Sequence, residues 1–122
     1  MSLTRIALKF AAPLPHLENF DRYLFIGPHP DDIEIGAGAT VSRLTSLGKQ
    51  VSFLICTDGR FGDENTSLRD DALIRARREE SIRSAAMLDV TDVRFLELSD
   101  GGFYTREELL TGIARVIGQV QP

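Results

Sequence analysis

A three-layer α/β/α fold around a mostly parallel sheet is what this 122-residue sequence predicts, on three observations. Short apolar runs alternate with segments of helical periodicity, in the order β-α-β-α-β-α. The run KQVSFLICTDG is nearly continuous in apolar residues, as expected when both faces of a parallel sheet are covered. Charged or glycine-bearing loops follow each apolar run, and such loops are where open α/β sheets bind ligands.

At the start of the chain, Leu3, Ile6, Leu8 and Phe10 fit a peripheral strand, and AAPLPH interrupts any regular element with two prolines. Residues 1–20 therefore read as an N-terminal extension to a domain spanning 21–122. RYLFIG reads as a short buried strand. Over 33–47, Ile33, Ala37, Val41, Leu44 and Leu47 share one side of a helix, and Gly48 stands where a C-terminal cap glycine belongs.

KQVSFLICTDG is the second strand, and residues 59–70 form a long polar loop. A second helix is expected from about 71 to 88, with Glu80 on the side of Leu73, Ala76 and Met87. Arg77 is placed to neutralise Glu80, and Arg78 and Glu79 read as a solvated face. TDVRFLELSDGG is the third strand with its exit turn. Thr105 and Glu108 make a capping box, followed by an apolar stripe of Leu109, Leu110, Ile113, Val116, Ile117 and Val120. The arrangement is Rossmann-like, the first half of a doubly wound sheet with right-handed crossovers, and Gln121-Pro122 stands where a fourth strand would begin.

Bulk properties exclude several classes. A net charge of −4 without a basic block argues against a nucleic-acid partner. No apolar stretch approaches the roughly 20 residues of a membrane span, and MSLTRIALKF lacks a signal peptide's apolar core. The single cysteine, Cys56, rules out an intrachain disulfide and fits a reducing cytoplasm; its apolar strand predicts an inert thiol.

The most specific chemistry lies in GPHPDDIEIGAG, Gly27 to Gly38. His29 and Asp32, three apart across a turn stiffened by Pro30, can supply the nitrogen and carboxylate donors that suit zinc. Asp31 between them is then left free as a general base. A plainer reading makes Asp32 a helix cap, His29 a turn residue and Asp31 a solvated neighbour, and residue chemistry alone leaves the two readings open. Gly36-x-Gly38 lacks the third glycine of a phosphate loop and predicts close helix–sheet packing instead. Asp58 could close a turn with Gly59, and Asp63, Glu64, Asp70 and Asp71 read as solvating the polar loop. Two adjacent aspartates after a first strand also suit a phosphate-accepting receiver domain. That reading needs a late lysine, and the chain's lysines are Lys9 and Lys49. A dinucleotide-binding half-fold fails for want of G-x-G-x-x-G.

PHPDDIEIGAGAT resembles the (A/P)HPDD-x-x-x-G signature of the LmbE-like, or PIG-L-type, zinc deacetylases. CTDGRFG is similar to that family's T-x-G-x-x-G segment. RREESIRSAAMLDV is similar to its R-x-E-E-x-x-x-A-A-x-x-L-G-V helix, with Asp89 at the usual glycine, and VRFLELSDGG to its FL-x-x-x-DG strand end. The resemblance covers residues 22–122 and implies hydrolysis of the acetamide of N-acetylglucosamine-type sugars or related amides. It implies zinc, or another divalent ion, held by His29 and Asp32, with Asp31 as base and Arg60 and Asp100 as substrate contacts. The family's third ligand and general acid are histidines downstream of the third helix. The other histidine here, His16, matches neither and reads as a surface residue. The chain is thus truncated relative to the family, and weak zinc retention and little catalysis by this chain alone are expected. A shortened sheet would expose an edge and helix surface, which predicts a homo-oligomer, and a non-catalytic oligomer-forming relative is the alternative.

Overall fold

The computed structural model describes residues 16–62 and 70–122. The expected strand within residues 3–10 and the side chains of Asp63, Glu64 and Asp70 lie outside that description. A 3-10 turn at Leu17–Asn19 precedes β1 (Arg22–Gly27), α1 (Asp32–Ser46), β2 (Gln50–Thr57), α2 (Asp70–Met87), β3 (Asp92–Leu98) and α3 (Arg106–Val120). Among the described residues the three strands form one parallel sheet in the order β1-β2-β3. The expected alternation and fold class are therefore observed.

Register assigns the layers. Phe25 pairs with Phe53 and Phe53 with Val93, and side chains alternate along a strand, so the odd-numbered residues of the three strands share a face. On that face Tyr23, Val51, Phe53 and Ile55 pack with Ile33, Val41 and Leu44 of α1 and Ala85 of α2. The Phe25 and Phe53 rings meet edge to face, 6.3 Å apart. Leu54, Cys56 and Leu96 point the other way. A Cβ built on Gly112 would lie 2.9 Å from Leu96 Cδ1, so α3 packs closely on that second face. Helices α1 and α2 cover one side of the sheet and α3 the other.

Near its end β3 holds one residue more than β2. Ile55 pairs with Phe95 but Thr57 with Leu98, and Glu97 takes the left-handed conformation at φ 57°. The end of α1 is built as its glycine predicts. Gly48, at φ 75°, donates its N–H to Thr45 O at 2.9 Å, and Lys49 N–H reaches Leu44 O at 3.1 Å, which together form a Schellman motif. The Thr105–Glu108 capping box of α3 is also present.

Several packing expectations are corrected. A Cβ on Gly36 or Gly38 would meet nothing within 4 Å, so neither glycine is there for close packing against the sheet. The inward stripe of α2 runs through Leu73, Ser81 and Ala85, whereas Met87 is 87% exposed and Glu80 faces solvent. Arg77 does not pair with Glu80, because it turns to the first loop instead. Arg78 is no simple solvated residue: its guanidinium lies 4.3 Å from the Phe95 ring centroid and pairs with Glu97. In α3 the apolar stripe is only partly covered, with Val116 buried and Leu110 and Ile117 about half exposed.

Candidate active site at the strand ends

The exits of β1, β2 and β3 meet at one edge of the sheet, as expected for a ligand site in a parallel α/β fold. Backbone bonds join them. Thr57 donates both its N–H and its hydroxyl to Pro28 O, at 2.9 and 2.8 Å, and Asp58 N–H donates to Leu98 O at 2.9 Å. The Pro30 ring packs against Gly59, where an added Cβ would lie 3.0 Å from it, and Gly59 itself sits at φ 67°.

On this frame His29 and Asp32 converge. Asp32 Oδ2 lies 3.0 Å from His29 Nδ1 and accepts the His29 backbone N–H at 2.9 Å. Asp32 is thus the first residue of α1 with its carboxylate turned back to the imidazole. The far ring nitrogen, Nε2, is 3.2 Å from Asp100 Oδ1 on the β3 exit loop. Asp100 Oδ1 also accepts the Gly101 N–H. Sequence reasoning placed Asp100 near the site, and the structure brings it onto the imidazole.

Asp31 stands at the N-cap of α1 with φ 87° and ψ −21° and makes no side-chain cap bond. A left-handed aspartate costs on the order of 1 kcal/mol, and such strain is retained where surrounding contacts enforce it. Here Arg77 Nη2 lies 3.3 Å from both Pro30 O and Asp31 Oδ2. The Asp31 side chain remains 54% exposed, open to a ligand above the loop.

Arg60 is engaged with Asp58, at 2.6 Å from Nη2 and 3.0 Å from Nε to Oδ2. Asp58 is nearly buried and also accepts the backbone N–H groups of Arg60 and Asp100 through Oδ1. Burial raises its pKa, but the Arg60 side-chain bond, the two backbone donors and the Arg60 charge prevail, so the carboxyl titrates below the ordinary range. Asp58 is therefore a brace between the second and third loops, beyond the simple turn its sequence suggested. Its signal was available: an acidic residue closing a strand buried on both faces needs partners. The Cys56 thiol, buried beneath, is raised by burial, consistent with an inert core cysteine.

Two ligands of a tetrahedral zinc, at about 2.0–2.1 Å each, stand roughly 3.3 Å apart. The Nδ1–Asp32 separation of 3.0 Å fits that spacing in distance and donor type. A carboxylate on the other ring nitrogen, as Asp100 provides, is the usual support of a metal-bound histidine. The set fits in kind but not in number, because among the described residues no three His, Cys, Asp or Glu side chains are grouped to hold an ion. His16 is exposed beside the 3-10 turn before β1, outside these loops.

The sequence profile of PIG-L, described as GlcNAc-PI de-N-acetylase, matches residues 24–122. The chain belongs to this family. It is 35% identical over 117 residues to a diacetylchitobiose deacetylase from Thermococcus kodakarensis, covering 93% of this chain and 43% of that protein. It is 40% identical over 100 residues to a 1D-myo-inositol 2-acetamido-2-deoxy-alpha-D-glucopyranoside deacetylase from Kineococcus radiotolerans, covering 76% and 28%. The chain thus spans less than half the length of these curated relatives. The structure of an N,N'-diacetylchitobiose deacetylase from Pyrococcus horikoshii, complexed with an inhibitor, superposes with a TM-score of 0.81 at 27% identity, over all of this chain and 48% of that one. GalB, a 4-carboxy-2-hydroxymuconate hydratase from Pseudomonas putida, reaches 0.75 at 22% identity over 84% and 45%, a likeness of fold alone.

Proposed function

We propose that this chain carries the base and two metal ligands of a deacetylase acting on N-acetyl sugars, most directly N-acetylglucosamine derivatives. The observation that carries the reading is the first loop. His29 and Asp32 converge, while Asp31 between them stays open and is held by Arg77. The deacetylase names of the matched relatives support the substrate class.

His29 and Asp32 would hold zinc or a similar divalent ion, which when bound polarises a carbonyl and acidifies water. The chain's own residues do the rest. Asp31 accepts a proton from the attacking water. The water oxygen bonds to the acetyl carbon, the amide C–N bond breaks, and acetate and a sugar amine leave. Asp100 orients the imidazole through Oδ1, and Asp100 and Arg60 would contact the sugar. The proton for the departing amine comes from a group that the resemblance places downstream of α3. The lone Cys56 supports a cytoplasmic location.

The test uses the full-length protein with N,N'-diacetylchitobiose, with and without added zinc. Asp31→Asn should lower kcat by about 10²–10⁴-fold with zinc content unchanged, and His29→Ala should lose the zinc. Full activity in Asp31→Asn would refute the assignment. The 122-residue chain by itself should purify with far less than one zinc, and stoichiometric metal would contradict the two-ligand set. A second reading, a non-catalytic self-associating relative, draws on the exposed Phe103, Leu110 and Ile117. A monomer in gel filtration removes it. Among the described residues no helix is long and apolar enough to cross a membrane.

A further inference from the structure

Next to the first loop lies a polar pocket with a glutamate, Glu34, that the proposed chemistry does not use. A cavity of about 120 Å³ is bordered by Asp31 and Glu34 of α1's start and by Arg77, Glu80 and Ser81 of α2. Both carboxylate oxygens of Glu34 are buried without a hydrogen-bond partner, and so is Nε of Arg77. The two groups are opposite in charge and complementary in hydrogen bonding, an acceptor without a donor and a donor without an acceptor. Buried and unsatisfied, each is costly, so one is the natural complement of the other. The cavity is several times the roughly 10–15 Å³ that one water requires.

We infer that Glu34 is a positioning residue of the site: it takes the Nε–H of Arg77 through one cavity water, and so fixes the guanidinium that holds Asp31. Nη2 of the same guanidinium already binds Pro30 O and Asp31 Oδ2. A planar fork held at both Nη2 and Nε cannot rotate about its terminal bonds, and the Asp31 carboxylate inherits that fixity. Ser81, one turn on, donates its hydroxyl to Arg77 O at 3.0 Å and occupies the inward stripe without competing for the guanidinium. This also explains why α2 places an arginine and a serine on its buried side. The effect on catalysis rests on the deacetylase reading; the Glu34–Arg77 link does not.

The test is made on the full-length protein with N,N'-diacetylchitobiose as the probe. Glu34→Gln should lower kcat by about tenfold or more and leave KM within about twofold, with zinc content unchanged. Glu34→Asp, which keeps the charge and leaves room for a water, should recover most of that loss. In an Arg77→Lys background, Glu34→Gln should add no further loss, because it acts through the same guanidinium. Additive losses would overturn the inference, as would unchanged kcat in Glu34→Gln. A readout free of turnover is the Arg77 Nε–H resonance, which should exchange slowly in the parent and lose that protection in Glu34→Gln. Unaltered protection overturns the link whatever the kinetics show. If protection is lost yet the parent has no deacetylase activity, the link stands and the functional reading fails.

Discussion

Replacing Asp58 by asparagine keeps the side chain's size and one acceptor oxygen but removes its charge. In the parent the carboxylate is 5% exposed and receives the Arg60 guanidinium through Nε and Nη2, with backbone N–H groups of Arg60 and Asp100 on the other oxygen. Breaking a fully buried ion pair costs about 3–5 kcal/mol. Arg60 is 32% exposed, so solvent screens part of the pair. A loss of about 2–3 kcal/mol is the reasoned expectation, corresponding to roughly 10 °C in Tm for a domain of this size. The pH dependence has a definite sign. The folded carboxyl titrates below its unfolded value of about 3.9, so its contribution is complete above that value and fades as pH falls through the lower folded pKa. Urea melts followed by circular dichroism should therefore show the gap between parent and Asp58→Asn wide near neutrality and narrowing below about pH 4. A variant within about 0.5 kcal/mol of the parent near neutral pH, or a gap that ignores pH, would refute the brace.

Other outcomes follow from the same contacts. A Cβ on Gly27 would stand 2.8 Å from Ile33 Cγ1, so Gly27→Ala should cost about 1–3 kcal/mol in denaturant melts and push the first turn of α1, with Asp32, off its place. Thr105→Ala removes the acceptor for Glu108 N–H and should destabilise by about 1 kcal/mol, measurable by thermal melting. Cys56, 5% exposed and with its thiol raised by burial, should resist a thiol reagent in the native protein and react rapidly in denaturant. Comparable rates in both states would contradict its core position.

Much of the architecture could be read from residues. β2 was plain because a strand covered on both faces is apolar at nearly every position, and α1 because Ile33, Val41 and Leu44 recur at helical spacing before a glycine. The α3 capping box is a local device and local pattern finds it. The first loop was legible for a related reason: His29, Asp31 and Asp32 lie within four residues, so their chemistry could be weighed without knowing the fold. Arg77 was misassigned because its partners, Pro30 and Asp31, are 46 or more residues away, while Glu80 is three away. Periodicity misplaced the α2 face for the same cause, since Arg77 and Ser81 occupy inward positions where the pattern expects apolar residues. Asp58 bridges to Asp100 across 42 residues, a contact that only the parallel pairing of β2 with β3 creates.

The extra residue at Glu97 reaches further than its own turn. A pleated strand counts in twos, and one added step moves everything beyond it onto the opposite beat. Leu98 takes the slot beside Thr57 that residue 97 would otherwise fill, and Asp100 follows in the shifted phase. Deleting that single residue would restore even counting and swing the Asp100 carboxyl off the imidazole, uncoupling the third loop from the first without touching either.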